Sequence, residues 1–204
     1  MSLPIAVLAS GRGSNLQAIL DAIKAQTLDA QVMVVLSDKP DAKALDRARA
    51  EGIEAYYINP KAYADKAAYE KALLEHIVPY NCALICLAGY MRILSPYFVQ
   101  HAPCRIMNIH PSLLPSFPGL HAHQQALDYG VKYSGCTVHF VDEGVDSGSI
   151  IFQEIVDVLP DDTEDTLAER ILVKEHQVYP KAIQMFAEGR LSFDGRRVIV
   201  KGAE

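Results

Sequence analysis

The chain has 204 residues, of which 50% are apolar and 22% are charged, a balance typical of a globular domain with a sizeable hydrophobic core. Its formal net charge of −6 at pH 7 argues against a broad surface for nucleic acid or an anionic membrane, although local donors can still hold a small anion. We find no apolar run of transmembrane length, expect no signal peptide, and see no zinc-type spacing among the four cysteines, so we expect a cytoplasmic protein without a metal.

The first half of the chain predicts strands that alternate with helices. Short apolar runs predict strands over residues 4–9, 32–36, 53–58 and 83–88. Helical spacing of apolar residues, together with cap residues, predicts helices from residue 16, over 41–51, over 65–78 and from Ser95-Pro96.

The second half predicts a similar alternation, followed by a hairpin over 191–193 and 198–200. Strands are predicted over 105–110, 136–141 and 150–158, and helices over 121–129 and from a cap at Asp162 or Thr163 to about Glu188. Pro180 is expected to bend the long helix. This order of elements predicts an α/β fold with a doubly wound, mostly parallel sheet, and the absence of repeats or linkers predicts one domain.

The predicted strand over 105–110 ends in two polar side chains. Because side chains alternate along a strand, Asn108 and His110 face the same way while Met107 and Ile109 pack into the core. Pro111 favours an extended His110 and ends the strand. Ligands of open α/β sheets bind at the carboxyl ends of strands. An amide and an imidazole there indicate a functional site, although simple capping of a strand end explains this stretch equally well by itself.

The loop Ser10-Gly-Arg-Gly-Ser-Asn15 joins the first strand to the first helix. Its glycines allow close backbone approach, and a helix N-terminus favours an anion. The third glycine of a dinucleotide fingerprint is replaced by Leu16, and the Walker lysine is missing. We therefore predict that Gly13, Ser14 and Asn15 bind a single phosphate, with an ordinary tight turn as the alternative.

The stretch after the fourth strand, Gly89 followed by residues 91–94, combines a sharp exit with apolar side chains. Such a stretch is suited to a slot for a flat heterocycle, whose polar edge would meet backbone groups. A plain connection between a strand and a helix is the alternative.

The acidic loop over 142–148 contains Asp146. If this carboxylate lies beside His110, it favours the imidazolium and raises the pKa of His110; a solvated turn is the alternative. His121 and His123 lack a third ligand in the sequence, so we expect no metal there. His139 lies inside a predicted strand and is interpreted as a buried supporting residue.

Six stretches of the chain, in this order and at this spacing, resemble the phosphoribosylglycinamide formyltransferase family, the folate-dependent glycinamide ribonucleotide transformylases of purine synthesis. They cover residues 10–19, 87–96, 108–115, 118–121, 137–141 and 175–180. The resemblance implies a Rossmann-like formyltransferase fold in one domain over 1–204, whose N-terminal part, about 1–100, binds the phosphate of a mononucleotide. The remainder is expected to carry the catalytic strand end and the folate loops.

The resemblance also implies roles for the matching residues. The ribonucleotide would be held by Gly13, Ser14, Asn15 and Glu175. The formyl folate would be held by Lys66, Met91, Arg92, Ile93, Leu94 and Asn108. The catalytic residues would be Asn108, His110 and Asp146. Lys66 stands where the family usually has an arginine, so the planar bidentate contact of an arginine is not expected there.

The implied reaction is direct transfer of the formyl group of 10-formyltetrahydrofolate to the amine of glycinamide ribonucleotide, in de novo purine (IMP) synthesis. Asn108 and the His110 imidazolium would stabilise a tetrahedral intermediate, and Asp146 would keep His110 protonated. We expect small-molecule substrates, no metal, no nucleic-acid or membrane partner, and a monomer or homodimer.

Three alternatives are weighed against this reaction. A formyltetrahydrofolate hydrolase would pass the formyl group to water and usually carries an added N-terminal domain, and it would leave the phosphate-type loop without a purpose. A methionyl-tRNA formyltransferase would require a further basic C-terminal domain. A non-catalytic mononucleotide-binding module would use the loop but leave Asn108, His110 and Asp146 without a role.

Overall fold

The computed structural model describes residues 2–202, and the chain divides after Asn108 into two compact units. The two ends of the predicted domain, residues 1 and 203–204, lie outside the described residues.

The first unit is built on parallel strands that alternate with helices. Its strands are β1 (Leu3–Leu8), β2 (Ala30–Ser37), β3 (Glu54–Tyr57), β4 (Leu84–Leu87) and β5 (Arg105–His110), whose last two residues belong to the second unit. Its helices are α1 (Ser14–Lys24), α2 (Lys43–Ala50), α3 (Lys66–Ile77) and α4 (Pro96–His101), with short 3-10 turns at Pro60–Ala62 and Val78–Tyr80. The strand order β3-β2-β1-β4-β5 reverses direction at β1, which lies between β2 and β4.

Burial explains why these segments are strands. Ile5, Val7, Ile85 and Cys86 are fully buried, as expected where helices cover both faces of a parallel sheet. The register pairs Leu8 of β1 with Leu87 of β4, so these two strands end side by side. A topological switch point of this kind is where open α/β sheets bind ligands.

The second unit contains an antiparallel strand pair, two helices and a hairpin. Its elements are α5 (Ala122–Tyr129), β6 (Tyr133–Phe140), β7 (Ile150–Asp157), α6 (Glu164–Ala187), β8 (Leu191–Asp194) and β9 (Arg197–Val200). The long helix α6 packs against β6 and β7. It begins in a capping box in which Thr163 and Thr166 each bond the other's backbone N–H, and it includes Pro180.

In the second unit β6 and β7 pair antiparallel, and β8 and β9 form a separate hairpin. The predicted α/β class, the mostly parallel sheet and the C-terminal hairpin are therefore confirmed. The largest boundary error concerns β6, which begins at Tyr133 instead of residue 136. Within residues 2–202, no helix is long and apolar enough to span a bilayer.

Candidate active site

The end of β5 presents the two polar side chains that the strand pattern predicted. Met107 and Ile109 are buried, Asn108 is half-buried, and His110 is only 5% exposed. Alternation along the strand places Asn108 and His110 on one face. A nearly buried imidazole needs hydrogen-bond partners, because burial without them is costly.

His110 has an acceptor at each ring nitrogen. Its Nε2–H donates to the carbonyl oxygen of Phe117 at 2.9 Å, and its Nδ1 lies 3.3 Å from Oδ2 of Asp146. A neutral imidazole carries one proton, so it can satisfy one of these acceptors at a time, whereas the imidazolium can satisfy both. These two acceptors, taken by themselves, therefore favour the charged form.

Asp146 is held in place by contacts on both carboxylate oxygens. The backbone N–H of Gly119 donates to Oδ2 at 2.8 Å, and Nε2 of His139 lies 3.6 Å from Oδ1. Burial by itself would raise the pKa of Asp146, but the contacts with His139, His110 and Gly119 lower it below its usual value. Asp146 therefore remains a carboxylate, and its positive φ of 49° places it in a conformation that few non-glycine residues adopt.

Burial reverses the predicted direction of the His110 pKa. The strongest influence is loss of solvent, which lowers the pKa of His110, and the charge of Asp146 and the Phe117 carbonyl raise it by less. The net pKa lies below the ordinary value of 6.5. The expectation of a raised pKa was therefore wrong in its net direction, although the sign of the Asp146 contribution was right.

One supporting residue was anticipated by the sequence argument and another was missed. His139 was interpreted as a buried supporting residue, and its buried ring lies beside the carboxylate that faces His110. Thr137, on the same face of β6, donates to Ser112 O at 2.6 Å and accepts from Leu114 N–H at 3.0 Å, which holds the segment after β5. The signal available in the sequence was the pair of polar residues, Thr137 and His139, at alternate positions of one predicted strand.

The first loop, residues 9–13 between β1 and α1, is closely packed against α2. Gly13 has a φ of 67°, and a Cβ at this position would lie 2.7 Å from Cα of Ala44. The N–H of Ala44 donates to the carbonyl of Gly11 at 3.1 Å. Gly13 is also the N-cap of α1 and has no side chain with which to cap it. The first-turn N–H groups of α1, including those of Ser14 and Asn15, therefore suit an anion.

The exit segment, residues 88–95 after β4, has no regular secondary structure. Met91 and Ile93 are 60% and 55% exposed, and the Arg92 guanidinium lies 5.2 Å above the ring of Tyr69. Leu94 is half-buried. Apolar side chains beside accessible backbone are the surface that a flat heterocycle requires.

Two further predicted binding residues lie on helices. Nζ of Lys66 is 3.9 Å from Oε1 of the buried Glu70, so its charge is partly engaged within α3. Glu175 lies on α6 and is buried. His121 is the N-cap of α5, and among the described residues no group of three or more His, Cys, Asp or Glu side chains is arranged to hold a metal ion.

Comparisons with known proteins agree on one family. Residues 3–183 match the model described as formyl transferase. The phosphoribosylglycinamide formyltransferase of Escherichia coli K12 is 45% identical over 205 residues, covering 97% of this chain and 97% of that protein. The trifunctional purine biosynthetic protein adenosine-3 of Drosophila melanogaster is 50% identical over 187 residues, which are 91% of this chain but 14% of that protein. The chain thus spans a small part of the trifunctional relatives.

A solved structure shows the same fold along the chain. The glycinamide ribonucleotide transformylase 1 from Symbiobacterium toebii superposes with a TM-score of 0.95 at 52% sequence identity, covering 98% of this chain and 94% of that one. This match and the family model confirm the resemblance that six stretches of the sequence had indicated.

Proposed function

The chain belongs to the formyl transferase family, and we propose that it transfers the formyl group of 10-formyltetrahydrofolate to the primary amine of glycinamide ribonucleotide. The products are formylglycinamide ribonucleotide and tetrahydrofolate, a step of de novo purine (IMP) synthesis. The observation that carries the proposal is the contact of the loop carboxylate Asp146 with the buried His110 at the end of β5. It occurs in a chain that is similar to a phosphoribosylglycinamide formyltransferase over 97% of both lengths.

The amine attacks the formyl carbon, and negative charge develops on the formyl oxygen. Asn108 can donate an amide N–H to that oxygen, and the His110 imidazolium offers a charged donor from the same strand face. One such donor contributes roughly 3 kcal/mol to transition-state stabilisation. The chemistry requires no metal, because the attacking amine and the leaving folate nitrogen exchange protons with side chains or water.

His110 supplies the proton that reaches the leaving nitrogen, directly or through water, and Asp146 stabilises its protonated form. In the structure both ring nitrogens of His110 already face acceptors, so one contact must open during the reaction. The Phe117 carbonyl is uncharged, whereas Asp146 carries a full charge. We therefore assign the contact with Phe117 as the one that opens.

Substrate-binding roles follow from the separate segments. The first turn of α1, with Gly13, Ser14 and Asn15, would hold the ribonucleotide phosphate, which accepts N–H hydrogen bonds. Glu175 would bind the glycinamide end, where a carboxylate suits an amine.

The exit segment would hold the pterin, through Met91, Arg92, Ile93 and Leu94, and Asn108 would contact the formyl end of the folate. Lys66 would meet the carboxylates of the folate tail as a point charge. We further propose that residues 1–204 act as one catalytic domain in the cytoplasm, as a monomer or homodimer.

The test follows the absorbance of the folate in a mixture of protein and 10-formyltetrahydrofolate, with and without glycinamide ribonucleotide. The proposal expects release of tetrahydrofolate that depends on the ribonucleotide and is abolished by His110→Ala. Release without the ribonucleotide would instead indicate a formyltetrahydrofolate hydrolase. Ribonucleotide binding without any release would indicate a binding module, and either result would overturn the proposal.

A further inference from the structure

Ser10 joins the first loop to the exit segment through two hydrogen bonds. Its backbone N–H donates to the carbonyl of Gly89 at 3.0 Å, and its Oγ accepts from the N–H of Met91 at 2.8 Å. The two bonds flank Tyr90, so one side chain and one peptide group of the first loop fix the path of the exit segment.

The opposite side of the first loop is attached to α2. Besides the bond from Ala44 N–H to Gly11, Nε–H of Arg47 donates to the carbonyl of Arg12 at 2.9 Å. The backbone at Gly13 also packs closely against Ala44, which leaves no room for a Cβ. The loop is therefore a short connection that is attached to α2 near Gly13 and to the exit segment through Ser10.

The exit segment has further contacts on either side of Met91. The hydroxyl groups of Tyr90 and Tyr69 lie 2.7 Å apart, and the Glu70 carboxylate accepts hydrogen bonds from the N–H and the hydroxyl of Ser95. Between these anchors, the backbone of Met91 depends on Ser10. A ligand that binds an exposed, irregular segment must meet the entropic cost of ordering it.

We propose that Ser10 is a positioning residue that couples the two binding segments, so that an anion bound at the first loop increases the affinity of the exit segment for folate. The proposal rests on the proposed function, because it takes phosphate and folate as the ligands. An anion bound at the first turn of α1 would restrain the loop further, and Ser10 would pass that restraint to Met91. Folate would then bind a segment that is already partly restrained. By reciprocity, folate strengthens phosphate binding by the same factor.

The experiment measures the dissociation constant of tetrahydrofolate by calorimetry, with saturating inorganic phosphate and with sodium chloride of equal ionic strength. Wild type is expected to bind tetrahydrofolate roughly fivefold more tightly with phosphate, the lower end of usual coupling. In Ser10→Ala the ratio of the two constants is expected to fall to about one, since the acceptor for Met91 N–H is removed. Ser10→Thr keeps the hydroxyl and should keep the ratio.

Tyr90→Phe is the matched control. It loosens the same segment by removing the hydroxyl that faces Tyr69, but it leaves both Ser10 bonds intact. If these residues only stabilise the exit segment, either substitution would lower the affinity for tetrahydrofolate. The ratio of the dissociation constants with and without phosphate would then stay unchanged. The proposal therefore requires that the ratio of the two dissociation constants stay at its wild-type value in Tyr90→Phe and fall to about one in Ser10→Ala.

Three results would overturn the coupling. The ratio of the two dissociation constants could be equal in wild type and Ser10→Ala, it could already be one in wild type, or it could fall to one in Tyr90→Phe. A formyl-transfer assay on the same wild-type sample separates this failure from that of the proposed function. If wild type transfers formyl groups but shows no effect of phosphate on tetrahydrofolate affinity, the coupling through Ser10 is wrong and the proposed function stands. If wild type neither binds tetrahydrofolate nor transfers formyl groups, both proposals are wrong.

Discussion

Asp146 directs Oδ2 at Nδ1 of His110 from 3.3 Å, and the imidazole in this contact is only 5% exposed. The charge of Asp146 raises the pKa of His110 and partly offsets the lowering by burial. Asp146→Asn should therefore lower the pKa of His110 further, with each unit corresponding to about 1.4 kcal/mol. Loss of the imidazolium should reduce kcat by roughly 10²-fold, the usual scale of general acid–base assistance. NMR titration of His110 measures the first effect and steady-state kinetics the second.

Asp142 offers a matched control within the same loop. Its carboxylate accepts hydrogen bonds from the Ser147 hydroxyl at 2.5 Å and from Gly144 N–H at 3.1 Å. Asp142→Asn removes the same charge and should leave the pKa of His110 close to that of wild type. Equal shifts in the two variants would show that the loop charge as a whole, and not the contact of Asp146, acts on the imidazole.

Stability should depend on pH through His110. The folded state lowers the pKa of His110 below 6.5, so the unfolded chain binds this proton more readily. The free energy of unfolding therefore falls as pH decreases below 6.5 towards the folded value. Urea unfolding at pH 7 and pH 5 should show a smaller difference in His110→Gln than in wild type. Burial also lowers the pKa of His123, so part of the pH dependence should remain in His110→Gln. If the difference between pH 7 and pH 5 is the same in His110→Gln as in wild type, His110 does not contribute to the pH dependence of stability.

His139 should act on the reaction through Asp146. Its Nε2 lies 3.6 Å from Oδ1 of Asp146, and its contact helps lower the pKa of that carboxylate. His139→Gln should raise the pKa of Asp146 and reduce kcat by roughly tenfold, about 1.4 kcal/mol in the barrier. The KM values should change little. A rise in KM with an unchanged kcat would instead place His139 in substrate binding.

The alternating pattern of β5 was sufficient to predict which side chains pack and which face the site, because one strand determines both. The sequence placed the start of β6 at residue 136 instead of Tyr133. A Cβ at Gly135 would lie 1.9 Å from the carbonyl oxygen of Glu154, so this glycine permits close approach of the paired strand β7. Contacts with a distant strand are not visible in the local sequence.

The electrostatics of the site were less predictable than its members. The sequence indicated that Asp146 accompanies His110, but burial, which decides the net direction of the His110 pKa, depends on the whole packed core. The contact of His110 with the Phe117 carbonyl was also missed. Backbone acceptors carry no signature in the identity of a residue, so a sequence cannot reveal them.

Gly13 and Gly11 provide a test of the phosphate loop. Gly13→Ala places a Cβ against Ala44 at a φ of 67°, which should cost more than about 1 kcal/mol and displace the N–H groups of α1. The ribonucleotide KM should rise at least about tenfold, a loss of roughly 1.4 kcal/mol. Gly11→Ala meets nothing within 4 Å and should be nearly neutral. Calorimetry with ribonucleotide alone checks both variants. Similar ribonucleotide affinities in Gly13→Ala and Gly11→Ala would show that the phosphate does not bind at this loop.

Ile93 tests the exit segment as the folate site. Its side chain is 55% exposed, so Ile93→Asp should fold normally, with a melting temperature near that of wild type. A carboxylate there would lose water when a flat pterin covers it, and desolvation of an unpaired charge is unfavourable. The folate KM should rise at least tenfold, about 1.4 kcal/mol. The ribonucleotide KM should change much less. Ile155→Asp is the control for added charge, because Ile155 on β7 is exposed to a similar extent. A folate KM that rose equally in both variants would contradict the assignment of the exit segment as the folate site.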